Sequence, residues 1–234
     1  MSLCARKRDL VTLSIVLLAS WSARTSAQDA YVATEMTAGR CPLVVASKPA
    51  PVIVSAADYP GVIRAATDLR ADLGRVTGDT PSMATDTIPR ASAVVVVGTL
   101  GKSPIIDRLV RDKKFDTRDL TGRWEKFVTQ IVDKPFPGVD RALVIAGSDK
   151  RGAIYGAYDL SAEIGVSPWY WWADVPVVHH DNLFVLPGRH TNGEPAVKYR
   201  GIFLNDEAPA LATQVEELLP KLETYWSSFS HYDN

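Results

Sequence analysis

The chain has 234 residues, with 26 basic and 27 acidic side chains, a net charge of −1 and 46% hydrophobic residues. Near-neutrality gives no electrostatic basis for binding nucleic acid or an anionic membrane, and the apolar content is enough for a substantial core. The two cysteines, Cys4 and Cys41, are too few for a disulfide framework.

In chain order, Arg6, Lys7 and Arg8 precede an apolar run over 10–21 (LVTLSIVLLASW), and Thr25, Ser26 and Ala27 then offer small residues to a peptidase. Basic, apolar, small is the order of a secretory signal, and the run is shorter than the roughly 20 residues a spanning helix needs. Cleavage near Ala27 is the expectation, giving a secreted, extracellular chain of 207 residues. The signal carries off four basic residues and one acidic residue, so the mature net charge is −4. Cys4 leaves with it. Cys41 has no histidine near it in sequence and reads as a plain free thiol rather than a nucleophile.

Residues 28–50 show little periodicity. Residues 51–55 (PVIVS) read as a short buried strand, and 57–61 (ADYPG) as a turn into a helix. Val62, Ala66, Leu69, Leu73 and Val76 recur at spacings of four and three, one apolar helical stripe. Arg64, Asp68, Arg70, Asp72 and Arg75 are expected away from it, and Gly78 reads as its stop. Residues 92–98 (SAVVVVG) form an unbroken β-branched run, which predicts a strand covered on both faces. Pro104 suits a first helical turn, with a short helix over 105–110 and a surface connection over 111–123. Residues 124–133 and 141–147 read as strands, and 151–164 as a helix with small residues for close packing. The stretch 165–196, rich in Trp, Pro and His, reads as a bridge to a second domain. A strand over 197–204 and a helix over 213–225 follow. Alternating strands and helices predict a layered α/β fold class.

Several motifs admit a bland and a chemical reading. The glycines of 147–156 (GSDKRGAIYG) have neither Walker nor dinucleotide spacing, so tight turns and close helix packing explain them. His179, His180 and Asp181 lack further ligands for a metal and read as a solvated loop. Trp169, Tyr170, Trp171 and Trp172 suit an aromatic plug where two domains meet, or a platform on which sugars stack. Asn205, Asp206 and Glu207 follow the apolar residues 202–204. Carboxylates there fit the carboxyl-terminal edge of a barrel strand, where such folds place their sites. They equally fit a helix amino terminus, where acids favour the dipole.

Residues 142–149 (ALVIAGSD), 150–158 (KRGAIYGAY), 165–176 (GVSPWYWWADVP) and 199–207 (YRGIFLNDE) resemble the N-terminal region of glycoside hydrolase family 115, the xylan alpha-1,2-glucuronidases. The resemblance runs from about residue 51 to 209. It implies an N-terminal α/β domain leading into a (β/α)₈ barrel whose first strand spans 199–204. The implied reaction is hydrolysis, with inversion, of the alpha-1,2 bond between (4-O-methyl-)glucuronic acid and xylose in glucuronoxylan. Glu207 matches a pocket carboxylate of that family and is the candidate acid/base or substrate-site contributor, flanked by Asn205 and Asp206 as substrate-binding candidates.

The expected organisation is a signal peptide (1–27), an N-terminal α/β domain (28–164), an aromatic-rich linker (165–196) and the first strand–helix unit of an incomplete (β/α)₈ barrel (197–234). The polysaccharide substrate, glucuronoxylan, is the expected partner. No nucleic acid, no membrane after signal removal, no metal and no cofactor are assigned. Because the family is much longer, the isolated 234-residue chain is expected to be a truncated product without glucuronidase activity. The alternative from a different class is a non-catalytic carbohydrate-binding or interaction module, and a third is an unfolded remnant.

Overall fold

The computed structural model describes residues 30–201. Its elements are β1 (Val32–Ala33), β2 (Cys41–Val45), β3 (Lys48–Pro49), β4 (Val52–Val54), α1 (Pro60–Thr77), β5 (Met83–Thr85), β6 (Ala91–Thr99), α2 (Pro104–Arg111), β7 (Phe127–Asp133), β8 (Val139–Gly147), α3 (Lys150–Glu163), α4 (Tyr170–Ala173), β9 (Leu183–Val185) and β10 (Arg189–His190). The segment expected to be a signal peptide, the aromatic side chains of Trp171 and Trp172, and the site candidates Asn205, Asp206 and Glu207 lie outside what is described.

The valine run is the centre of the molecule. Strand β6 pairs in parallel with β8 on one side and β4 on the other, and β5 extends the parallel set beyond β4. Strand β7 runs antiparallel to β8, and β10 antiparallel to β7, giving a six-stranded sheet in the order β10-β7-β8-β6-β4-β5. Strand residues alternate between faces. Val95 and Val97 therefore join Leu143 and Ile145 in one core, while Val94 and Val96 join Ala142, Val144 and Ala146 in another. Both faces are covered, as the unbroken run predicts.

Helices α1 and α3 cover the first face. Val62, Ala66, Leu69, Leu73 and Val76 of the predicted stripe are all buried, Pro60 opens α1, and Gly78 closes it with φ of 76° and its N–H on the Gly74 carbonyl. A positive φ there suits glycine, which has no β-carbon to clash. Asp72 departs from the expectation: it is buried, and Arg75 holds its carboxylate at 2.5 Å. The second face is covered by α2 through Ile105, Ile106 and Leu109. Phe115 and Leu120 join that core, so the 111–123 connection is not wholly superficial.

A second sheet, in the order β1-β9-β2-β3 with every pair antiparallel, closes the first core beside the two helices. It was not foreseen, because its strands are two to five residues long and none shows a clear period. Residues 165–196, read as a linker, supply β9 to this sheet and β10 to the larger one. Residues 197–201, expected to begin a strand, carry no regular structure, and Tyr199 is 84% exposed. Among the described residues, no helix is long and apolar enough to cross a membrane.

Candidate functional site

In open α/β sheets, ligands bind outside the carboxyl ends of the parallel strands. That edge gathers the ends of β4, β6 and β8. Because β7 runs antiparallel to β8, its start lies there as well, with Phe127 opposite Gly147.

Around the end of β8 the loops are knitted by polar contacts. Asp149 caps α3: one carboxylate oxygen accepts from the Gly152 N–H at 2.9 Å and the other from the Glu125 N–H at 2.7 Å. Ser148 Oγ accepts from the Lys126 N–H at 3.0 Å. The backbones approach so closely that a β-carbon on Gly152 would lie 2.2 Å from the Lys126 carbonyl oxygen. A β-carbon on Gly147 would lie 2.0 Å from the Ala153 nitrogen. The glycines of 147–156 thus serve close packing, as the bland reading has it.

Glu125 is the centre of the edge. It precedes β7, although residues 124–133 were expected to be strand throughout, and its φ of 49° turns its buried carboxylate across α3. Arg151 donates to Oε1 at 2.7 Å, and Arg200 donates to Oε2. Arg200 also donates to the Tyr155 hydroxyl at 2.9 Å, and its guanidinium lies 5.9 Å from the centre of the Trp124 ring and 5.7 Å from that of Tyr155. Arg151 and Tyr155 are four apart on α3 and so share one face. Burial alone would raise the Glu125 carboxyl, but the hydrogen bonds and charges of Arg151 and Arg200 outweigh it and hold the group below its ordinary range. It is therefore an ionised anchor rather than a proton donor at neutral pH.

Asp58, 4% exposed, ties β4 to β6 at the same edge. One oxygen accepts from the Thr99 N–H at 2.8 Å and the other from the Tyr59 N–H at 2.8 Å. Burial raises its carboxyl despite these donors and nearby Lys102. With both oxygens engaged it is structural.

Cys41 is buried, and burial pushes its thiol up to about 11, consistent with an inert side chain. His179 meets Asp181 at 3.1 Å in an exposed loop. Among the described residues, no group of three or more His, Cys, Asp or Glu side chains is placed to hold a metal ion. Trp169 is 63% exposed, so the α/β domain itself does not bury it as a plug. A cleft of about 780 Å³ opens at the opposite, amino-terminal edge, walled in part by Met36, Arg40, Lys134 and Arg141. Its Arg141 is already engaged, by Asp133 at 2.9 Å and the Arg40 carbonyl at 2.6 Å.

The sequence did not single out Glu125 or its partners. Its neighbours Arg151, Tyr155 and Arg200 do fall in two of the segments that carry the family resemblance, 150–158 and 199–207, and the structure brings those segments together.

No family model and no curated protein sequence matches the chain. The solved structure of BtGH115A, a family GH115 4-O-methyl-alpha-glucuronidase with specificity for decorated arabinogalactans, aligns at 31% identity and a TM-score of 0.58. The alignment covers 71% of this chain and 20% of that one, so the chain corresponds to about a fifth of the enzyme. The structure of CpGH84D aligns at a TM-score of 0.39 and 10% identity, over 67% of this chain and 22% of its own, too distant to bear on chemistry. In sequence and in its mixed α/β fold, the chain resembles part of a GH115 glycoside hydrolase and is consistent with an N-terminal domain of that family.

Proposed function

We propose that this chain is the N-terminal part of a secreted glycoside hydrolase that removes (4-O-methyl-)glucuronic acid side chains from a plant polysaccharide, with glucuronoxylan the expected substrate. Glu207 contributes to the sugar site, and Asn205 and Asp206 flank it. The observation that carries this reading is the 31% identity to BtGH115A over 71% of the chain. BtGH115A itself is specific for decorated arabinogalactans, so the feature the two substrates share is a uronic acid side chain.

A chimaera tests it: the matching fifth of BtGH115A is replaced by residues 30–209 of this chain, so that Asn205, Asp206 and Glu207 come from this chain. Retained release of 4-O-methylglucuronic acid supports the reading, and a folded but inactive chimaera counts against it. Assays on glucuronoxylan and arabinogalactan side by side then address the backbone preference. The isolated 234-residue protein is expected to release no uronic acid from either, and measurable release would refute that part.

A second reading, a non-catalytic carbohydrate-binding module, draws on the exposed face of Trp169. It predicts that the isolated protein is retained on insoluble glucuronoxylan and that Trp169→Ala abolishes retention.

A further inference from the structure

We propose that Glu125 is a positioning residue which, through Arg200, holds residues 197–201 against the edge of the α/β domain, a few residues before Glu207 in sequence. Any consequence for Glu207 rests on the functional reading above. The clamp itself rests on geometry alone.

Arg200 is seven residues before Glu207 in sequence. Among the described residues, 191–201 form no strand or helix, and Tyr199 is exposed. Glu194 ties the preceding residues down by accepting from the Trp124 N–H at 3.1 Å and from Arg123 at 3.0 Å, and the Arg200 side chain anchors residues 197–201. It meets the Glu125 carboxylate, donates to the Tyr155 hydroxyl, donates back to the Val197 carbonyl and lies over the rings of Trp124 and Tyr155. These contacts use the planar fork of a guanidinium, which a lysine cannot reproduce.

The receiving side is prepared in advance. Glu125 has a left-handed backbone, which is unfavourable for a residue with a β-carbon. Asp149, itself locked as the cap of α3, holds that backbone by accepting its N–H. Arg151 takes the other carboxylate oxygen and fixes its direction. The Glu125 carboxylate is buried while both guanidinium groups are partly exposed, so losing one pair leaves a buried oxygen short of a partner. Residues 197–201 are therefore tied to α3 and, through Glu125, to the start of β7.

Trypsin reads the clamp directly, since it must draw the arginine side chain into its own pocket before cutting. Lys198, two residues earlier and exposed, is the internal reference. The purified 234-residue protein is digested briefly and its first cuts are ranked by mass spectrometry. In the wild type, cleavage after Lys198 is expected to precede cleavage after Arg200. Glu125→Gln is expected to raise the Arg200:Lys198 ratio about tenfold, with the thermal midpoint of the domain little changed. Tyr155→Phe, which keeps the ion pair, is expected to raise it less. An unchanged ratio in Glu125→Gln overturns the proposal. If Glu125→Gln also opens cuts after Arg141 and Arg151, the domain itself has loosened, and Tyr155→Phe becomes the deciding variant: no selective rise after Arg200 there overturns the proposal equally. Neither result depends on glycosidase activity, so the functional reading stands or falls separately on the chimaera.

Discussion

The Asp58 carboxylate accepts the backbone N–H of Thr99 at 2.8 Å, joining the loop after β4 to the end of β6 across 41 positions of sequence. Its other oxygen holds the Tyr59 N–H just before α1. Removing this carboxylate leaves buried donors without partners. Asp58→Ala is expected to destabilise the domain by about 2 kcal/mol. Urea unfolding followed by far-ultraviolet circular dichroism measures it, and a change of less than about 0.5 kcal/mol would show that water replaces the carboxylate freely.

The same residue predicts a pH dependence. Burial raises the Asp58 carboxyl above its ordinary value of 3.8, so the folded chain holds its proton to higher pH than the unfolded chain does. The resulting stability is fully present below the unfolded value and is lost as pH rises through the folded one. Asp58→Asn is indifferent to pH at this position. The stability gap between wild type and Asp58→Asn should therefore shrink from pH 4 to pH 7, and a gap that widens would contradict the raised value.

Glycine substitutions should separate crowding from backbone strain. A β-carbon at Gly152 meets the Lys126 carbonyl oxygen at 2.2 Å, backbone against backbone, with no side chain able to yield. Gly101 has φ of 73° with nothing within 4 Å of the added carbon. Gly152→Ala is expected to cost about 3 kcal/mol or to prevent folding, whereas Gly101→Ala should cost about 1 kcal/mol. Thermal midpoints of the pair, measured together, check the order. Equal losses would mean that the α3–β7 approach relaxes.

Cys41 provides a probe of opening. With the thiol buried and raised to about 11, it should resist a thiol-specific reagent at pH 8 until the domain unfolds. Its labelling rate should then rise with urea along the unfolding transition. Rapid labelling of Cys41 in the native protein, assigned by peptide mapping, would show that the β2 region opens locally.

Much of the framework was legible because it depends on local repetition. The stripe of α1 and the valines of β6 announce their burial through spacing alone, and Gly78 and Pro60 mark the ends of α1 through backbone chemistry. The short strands were not legible. Two residues at β1 or β10 have no period to detect, and their pairing comes from partners more than 50 positions away. Asp72 was misplaced for a related reason: helical spacing puts it near the stripe's border, and only the packing of α3 decides that the border is covered.

What the sequence determined by itself was the alternation of strands and helices, the doubly covered central strand and the likeness to a family, since each is written in contiguous residues. What only the tertiary structure decided was the second sheet, the place of residues 183–190 within both sheets, and the meeting of Glu125 with Arg151 and Arg200. A carboxylate finds two arginines 26 and 75 positions away only after the backbone has brought their elements to one edge, and no local pattern of residues encodes that distance.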